Sequence, residues 1–408
     1  MKIKVIKYSL NNKAFALIIT LWIVIILTII AYSLSYELRM DIKISQLYRD
    51  DYKAYALARA GVAKGISDLK NDTILDNENV DGNTITYDAN SDIWAYGGSE
   101  KEDLEYGEGT YSYKVSDEES KLDINKVPKE VFYELLLFYD IEKEKANYIA
   151  SAIVDWRDYD TVPSIGLGNE EDEEYSKLLS QDQKKQYNEK NLNYRCKNEM
   201  FTTVDEILNV YGITPELYYG TFQKPPQIFQ KLRLVNKDGT VPGLKDFLTI
   251  TSTEGLNVNT AKFEVLFLLI TTATGNRENA QSIVDKIIEY RQGQDIEDID
   301  DDKPFFNVSE ITRVTGAYGD IIPRIESLYR LITTSYWFTI TSTGRIGDVK
   351  HTISAKVRRN WEEFLPKIDD GTYDDNPFKE LREKSRKSDN NLLSVRCISV
   401  RIKEWIEY

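Results

Sequence analysis

The chain has 408 residues, with 52 Lys and Arg against 67 Asp and Glu, a net charge of −15, and 41% hydrophobic and 12% aromatic residues. That length suggests two or three domains, and that apolar content supports real cores, which excludes wholesale disorder. An acidic chain repels phosphate backbones, which argues against nucleic acid as a partner. Two cysteines, Cys196 and Cys397, are too few for a disulfide framework and wrongly spaced for a zinc site. In an exported domain they could pair; the other reading is two separate buried thiols.

The N-terminal stretch carries Lys2, Lys4, Lys7 and Lys13 and no acid, and Phe15 to Tyr36 then run without a charge. As a helix those residues would span about 33 Å, the thickness of a hydrocarbon core. The lysines predict a cytoplasmic N-terminal side and an exported remainder. A cleaved secretory signal, with Ser33-Leu34-Ser35 as the cleavage site, would need a shorter apolar run. Residues 37 to 69 continue in helical style, with no proline and many small side chains, among them Ala54, Ala58, Gly61 and Gly65. A basic leader, a small residue, Phe15 and a long helix, half apolar and half amphipathic, resemble type IV pilins and pseudopilins. The resemblance implies cleavage between Ala14 and Phe15 by a prepilin peptidase, with methylation of the new N-terminus. Most members have Gly where this chain has Ala14, and Glu at the fifth mature position where it has Ile19. That Glu pairs with a neighbouring subunit's N-terminal amine, so a subunit without it suits a place with no neighbour ahead, at the filament tip.

Residues 71 to 105 read as loop with weak strands, and Thr110 to Val115 alternate like a strand. An internal repeat follows. Residues 122–136 match 256–270, and 146–158 match 280–292, at the same separation. Residues 201–212 match 305–316 at a shorter one, so the first copy carries about 30 extra residues between its second and third blocks. Each copy reads as short helices, with Ile149, Ile153 and Val154 on one face and Ile283, Ile287 and Ile288 on its counterpart. Asn125 and Asn259 each precede a helix and are expected to cap it. Phe247 to Ser252 and Trp337 to Ser342 alternate as strands. The latter continues through Gly344 towards His351 to Arg358 as a hairpin, and Leu393 to Val400 is a last candidate strand. Residues 366 to 391 are polar and read as a loop. His351, the only histidine, reads as a packing residue.

The end of the second block of the first copy and the extra residues after it hold Asp155, Asp158, Asp160, Glu170, Glu171, Asp172, Glu173 and Glu174, with Arg157 the one base among them. Acids this dense repel one another unless a cation joins them, and calcium accepts six to eight oxygens from irregular loops. The spacing is not that of an EF-hand. Asp155, Asp158, Asp160, Glu171 and Asp172 are the candidate ligands; a solvated acidic loop is the alternative. The second copy has Glu289 and Gln292 at the matching places, and its run Asp295 to Asp302 reads as a plain charged loop.

In order, Asp117-Glu118, Lys121 to Asn125, Asp155-Trp-Arg-Asp158, Phe201 to Ile207, Thr214 to Tyr218 and Leu256 to Ala261 resemble the type II secretion system protein K family. The resemblance covers about residues 10 to 360. It implies an α+β fold: a long N-terminal pilin helix and a pilin-like antiparallel sheet domain, with an inserted α-helical domain made of two related helical repeats. Its expected parts are a leader 1–14, a spine 15–70, a head from 71–121, 247–255 and 333–408, and repeats at 122–246 and 256–332. It also implies calcium in the helical domain. Further implied are I- and J-type minor pseudopilins as partners, inner-membrane anchorage with the remainder periplasmic, a place at the pseudopilus tip, and no catalytic residues. Two other readings stay open, a minor pilin of a type IV pilus and a membrane-anchored helix-hairpin-helix DNA-binding module. The turns at Phe138 to Lys143 and Thr272 to Arg277 lack the Gly-x-Gly hairpin of the latter. A metal hydrolase is opposed by the single histidine and by the lack of a nucleophile elbow or P-loop.

Overall fold

A computed structural model describes residues 12–75, 78–80, 83–85, 87–96, 104–165, 170–178, 194–251, 254–292, 303–316, 321–362 and 397–407. One helix, α1, runs from Asn12 to Leu75 without a proline to interrupt its backbone ladder. Every described side chain from Phe15 to Arg49 is exposed. The stretch is long and apolar enough to cross a membrane. Further along, the buried Ala54, Leu57, Ala58, Val62 and Leu69 show where α1 leaves that exposed state and packs.

It packs on an antiparallel sheet. The strands are β1 (Glu78–Val80), β2 (Asn83–Ile85), β3 (Leu104–Tyr106), β4 (Gly109–Asp117), β5 (Leu122–Asp123), β6 (Leu248–Thr249), β7 (Leu256–Asn257), β8 (Leu331–Ile332), β9 (Trp337–Ile346), β10 (Val349–Glu362) and β11 (Cys397–Glu407). The main sheet has the order β11-β10-β9-β4-β3. Alternation does the work here: Tyr113 and Val115 on β4, Phe338 and Ile340 on β9, and Ile353, Ala355 and Val357 on β10 form one core with Ala58, Val62 and Leu69 of α1. Contact is close enough that small residues are required. A Cβ on Gly344 would lie 2.0 Å from the Ala54 carbonyl oxygen, and one on Gly61 would lie 2.1 Å from Ser342 Oγ. Tyr113 adds a buried hydrogen bond from its hydroxyl to Asp68 of α1 at 2.5 Å.

The helical domain is inserted between β4 and β9. Its first repeat holds α3 (Lys129–Phe138), α4 (Lys143–Arg157), α5 (Glu171–Leu178), α6 (Pro215–Tyr219), α7 (Gln227–Lys231) and α8 (Leu244–Phe247), after the short α2 (Ile93–Tyr96) of the head. The second holds α9 (Phe263–Thr274), α10 (Arg277–Arg291), α11 (Glu310–Thr315) and α12 (Ile321–Leu328). Each repeat opens and closes on a two-residue parallel ladder, β5 with β6 and β7 with β8. Both repeats share one apolar core, with Ile149 and Ile153 in the first and Ile283 and Ile287 in the second. The expected α+β class, with a long helix, an antiparallel sheet and an inserted helical domain of two related repeats, is what the chain adopts.

Several local expectations are corrected. Asn125 and Asn259 do not cap helices; the N-caps of α3 and α9 are Pro128 and Lys262. Each asparagine instead clamps a distant backbone. Asn125 Oδ1 accepts from Phe201 N at 2.8 Å while its Nδ2 donates to Phe201 O at 3.1 Å. Asn259 does the same to Phe305, at 2.8 and 3.0 Å. An amide has a donor and an acceptor side by side, which fits one residue's N–H and C=O together. Residues 247 to 252 are not a strand along their length: Phe247 ends α8 and only Leu248 and Thr249 pair. The hairpin turns at Gly347, which takes φ 57°, and Gly344 lies inside β9. The last strand is described from Cys397 to Glu407, and residues 393–396 of the expected strand lie outside the described residues. Residues 366–391 and 295–302 lie outside the described residues.

Candidate functional site

The motif Asp155-Trp156-Arg157-Asp158 sits at the C-terminal end of α4, and its four side chains divide the work. Trp156 enters the core against Phe201, with ring centroids 6.3 Å apart. Arg157 turns inward and donates to the carbonyls of Ile124 and Val127, the latter at 2.6 Å. Arg291 does the equivalent in the second repeat, donating to Val258 O at 2.8 Å. These bonds fix the end of α4 and leave Asp155 and Asp158 to face elsewhere.

They face Glu171, the first residue of α5. Carboxylate oxygens of Asp155, Asp158 and Glu171 all lie within 4.8 Å of one another. Asp155 is fully buried and Glu171 only 1% exposed. Asp155 Oδ2 accepts from the Tyr175 hydroxyl at 2.6 Å and from Ser164 N at 2.9 Å, which locks its rotamer. Asp155 Oδ1 and Asp158 Oδ1 are buried without a hydrogen-bond partner, and the two buried oxygens of Glu171 have only Cys196 and Asn198 beside them, neither in good hydrogen-bond geometry. Buried carboxylate oxygens so poorly served on one arc are costly unless something positive joins them. Their acidity follows: burial, with the charges of Asp155 and Asp160 added, pushes Asp158 up to about 6. Burial and the charges of Asp155 and Asp158 push Glu171 up to about 7. The carbonyl end of α4 adds negative potential at the same place.

Of the five expected metal residues, the fold brings these three together. Asp160 is exposed and its Oδ1 accepts from Val162 N at 2.8 Å, while its carbonyl accepts from Asn198 Nδ2. Asp172 Oδ1 accepts from Cys196 N at 2.7 Å, tying α5 to the returning chain. Both hold loop backbone around the arc. In the second repeat Glu289 is exposed, and no comparable acidic group forms among its described residues. An all-oxygen arc with unsatisfied lone pairs fits a hard divalent cation, and its irregular loops fit calcium better than magnesium. Cys196 stands as a free, half-buried thiol, and the side chain of Cys397 lies outside the described residues. The expected processing pair lies near the start of α1: Phe15 is exposed, and the side chain of Ala14 lies outside the described residues.

A second acidic group, Asp72, Asp88 and Asp92, has comparable spacing, but a side chain already serves it. Arg359 of β10, fully buried, pairs with Asp72 at 3.3 Å and with both oxygens of Asp88. Sequence reasoning missed this knot. The available signal was an arginine at an inward-facing strand position, between the core residue Val357 and the strand's end.

Against known proteins, residues 113–220 match the family model described as type II secretion system (T2SS), protein K. No curated protein matches the chain. Among solved structures, the chain resembles one in the GspK-GspI-GspJ complex from the enterotoxigenic Escherichia coli type 2 secretion system, with 16% identity and a TM-score of 0.47. That likeness covers 79% of this chain and 94% of the other. The matched segment starts on β4, ends at Gly220 just after α6 of the first repeat, and includes every protein K motif read from the sequence except Leu256 to Ala261. The arc of Asp155, Asp158 and Glu171 therefore lies within the segment of this chain that is similar to type II secretion system protein K.

Proposed function

We propose that the protein is a minor pseudopilin capping the tip of a type II secretion pseudopilus, supporting its assembly and protein export across the outer membrane. The observation that carries this is the protein K match over 113–220 in a chain whose α1 leaves residues 15 to 49 exposed and then docks on a sheet. The exposed half would be stored in the inner membrane as a single-pass anchor and would pack against other subunits after extraction. A prepilin peptidase would cut between Ala14 and Phe15, and the remainder would be periplasmic. Ile19 leaves no carboxylate to meet the amine of a subunit ahead, which suits a terminal position. Bulk supports the same place, since the inserted domain cannot be buried between filament neighbours. I- and J-type minor pseudopilins are the partners this reading requires. The protein would act by assembly and not by catalysis.

Calcium at Asp155, Asp158 and Glu171 would stiffen the junction of α4 and α5. The chain's own part is to present oxygens: Tyr175 and Ser164 orient Asp155, and Asp160 and Asp172 hold the flanking loops. A DNA-binding reading is disfavoured at its own turn, because Arg277 is spent on Glu134 at 2.9 Å. Labelling the chain with antibody on filaments sheared from its host tests the proposal. Label at one end of secretion-dependent filaments is expected. Label along their length, or on retractile pili only, would overturn the secretion-tip reading and in the second case favour a type IV pilus.

A further inference from the structure

β4 ends at Asp117, and Glu118 and Glu119 follow it in a 3-10 turn; all three acids are buried. Burying three adjacent carboxylates needs a reason, and their partners supply one. Glu118 accepts from Thr249 and Thr339 hydroxyls, both at 2.6 Å. Asp117 Oδ2 accepts from the hydroxyls of Ser335, at 2.6 Å, and Thr260. Glu119 accepts from the backbone N–H groups of Glu254, at 3.2 Å, Tyr336, and Trp337, at 3.1 Å. One tripeptide thus ties together the end of the first repeat, the link between repeats, the start of the second repeat and the chain's return into β9. It lies at the junction between the helical domain and the sheet.

The charges at this junction do not balance. Glu118 has Lys121 at 4.0 Å, with Lys356 also on its side. Asp117 and Glu119 face one another, Asp88 from the segment before α2, and, around Glu119, Tyr336. Among the described residues, the cation joined to this group through Ser335 is Arg359, whose guanidinium is already shared among Asp88, Asp72 and the Ser335 carbonyl, with Asp92 beside it. Ser335 bridges the two groups, donating its hydroxyl to Asp117 and its N–H to Asp88 at 2.6 Å. Hydroxyl donors can satisfy a carboxylate's lone pairs but bring no charge, so an added proton is the simplest means of balance.

We infer that the Asp117–Glu119 pair is a proton-linked hinge, holding the helical domain firmly on the sheet when it carries a proton and loosening its grip when both carboxylates ionise. Burial, and then the charge of Glu119, raise Asp117 well above the carboxylate range, and burial raises Glu119 to about 7. Carboxylates raised by folding stabilise the closed hinge fully below their unfolded values, and that stabilisation is lost as pH rises through the folded ones. For Glu119 the window is therefore from about pH 4.5 to about 7, and the raised Asp117 extends the loss in the same direction.

The test is amide hydrogen exchange of the full chain in detergent micelles, with rates corrected for intrinsic pH dependence, at pH 5.5 and pH 8. Protection of segments 249–260 and 333–339 should fall on the order of tenfold across that range, while α9 and α10 hold theirs. Asp117→Asn, which keeps an oxygen for Glu119 N and an amide that can donate to the two hydroxyls, should flatten the change. Protection that is constant or higher at pH 8, or a fall equal in Asp117→Asn, would overturn the inference. Should that variant not fold, the wild-type profile decides alone. Because the readout is local, titration of Asp158 and Glu171 does not enter it, and the result is independent of calcium and of the secretion reading.

Discussion

Arg359→Met should lower the melting midpoint of the head by on the order of 10 °C, followed by circular dichroism of the full chain in micelles. The guanidinium is fully buried between Asp72 and Asp88, which are 2% and 0% exposed as side chains. Removing one partner of a buried ion pair leaves the other charge without water or counterion, a loss of about 3–5 kcal/mol. Here two carboxylates from different elements would be stranded at once, and the Ser335 carbonyl would lose a donor. At about 2–4 °C per kcal/mol for a domain of this size, the expected fall follows. Arg359→Lys should recover only part of it, because an ammonium cannot present a planar fork to both acids. A midpoint within about 2 °C of wild type for Arg359→Met would mean that the knot is not what joins α1, the Asp88 segment and β10.

Calcium should raise the melting midpoint of the same sample at pH 7.5, and chelator should remove the rise. Extracellular calcium modules bind at about 10⁻⁴–10⁻³ M. At a hundredfold excess over the dissociation constant the gain is about 2.7 kcal/mol, or several degrees. Asp155→Asn should abolish the response while Asp160→Asn reduces it little, since Asp160 sits on loop backbone and not on the arc. The pH dependence has a definite sign. Glu171 and Asp158 hold protons up to about 7 and about 6, so protons compete with the ion as pH falls through that range. The calcium-induced rise should therefore be larger at pH 8 than at pH 5.5. A midpoint indifferent to calcium and chelator at pH 8 would remove the metal from the account.

The contrast between these two sites shows what a sequence reveals. The arc was visible because its residues lie within about 20 positions and carry a dense, one-signed charge. Even so, the choice of ligands was not visible. Asp160 and Asp172 have the same chemistry as Asp155 and Glu171, and only the path of the loop sends them to Val162 N and Cys196 N instead. The repeat was legible because packing imposes a helical period on Ile149 and Ile153 as on Ile283 and Ile287. The Arg359 knot was not, because its members come from α1, a connecting segment and the end of β10, and no local pattern relates them. Asn125 and Asn259 misled for a similar reason. A position just before a helix suits a cap, but the groups they bind, in Phe201 and Phe305, are remote in sequence. The Phe247 to Ser252 stretch has strand chemistry and pairs only where the repeat closes on β5.

The claim on which the rest depends is that α1 is a filament spine stored in a bilayer and not a permanent anchor. Mass spectrometry of the N-terminus of the protein purified from its host membranes tests it most directly. The account predicts a chain beginning at Phe15 with a methylated amine. A chain beginning at Met1, or at Tyr36 after secretory cleavage, would contradict it.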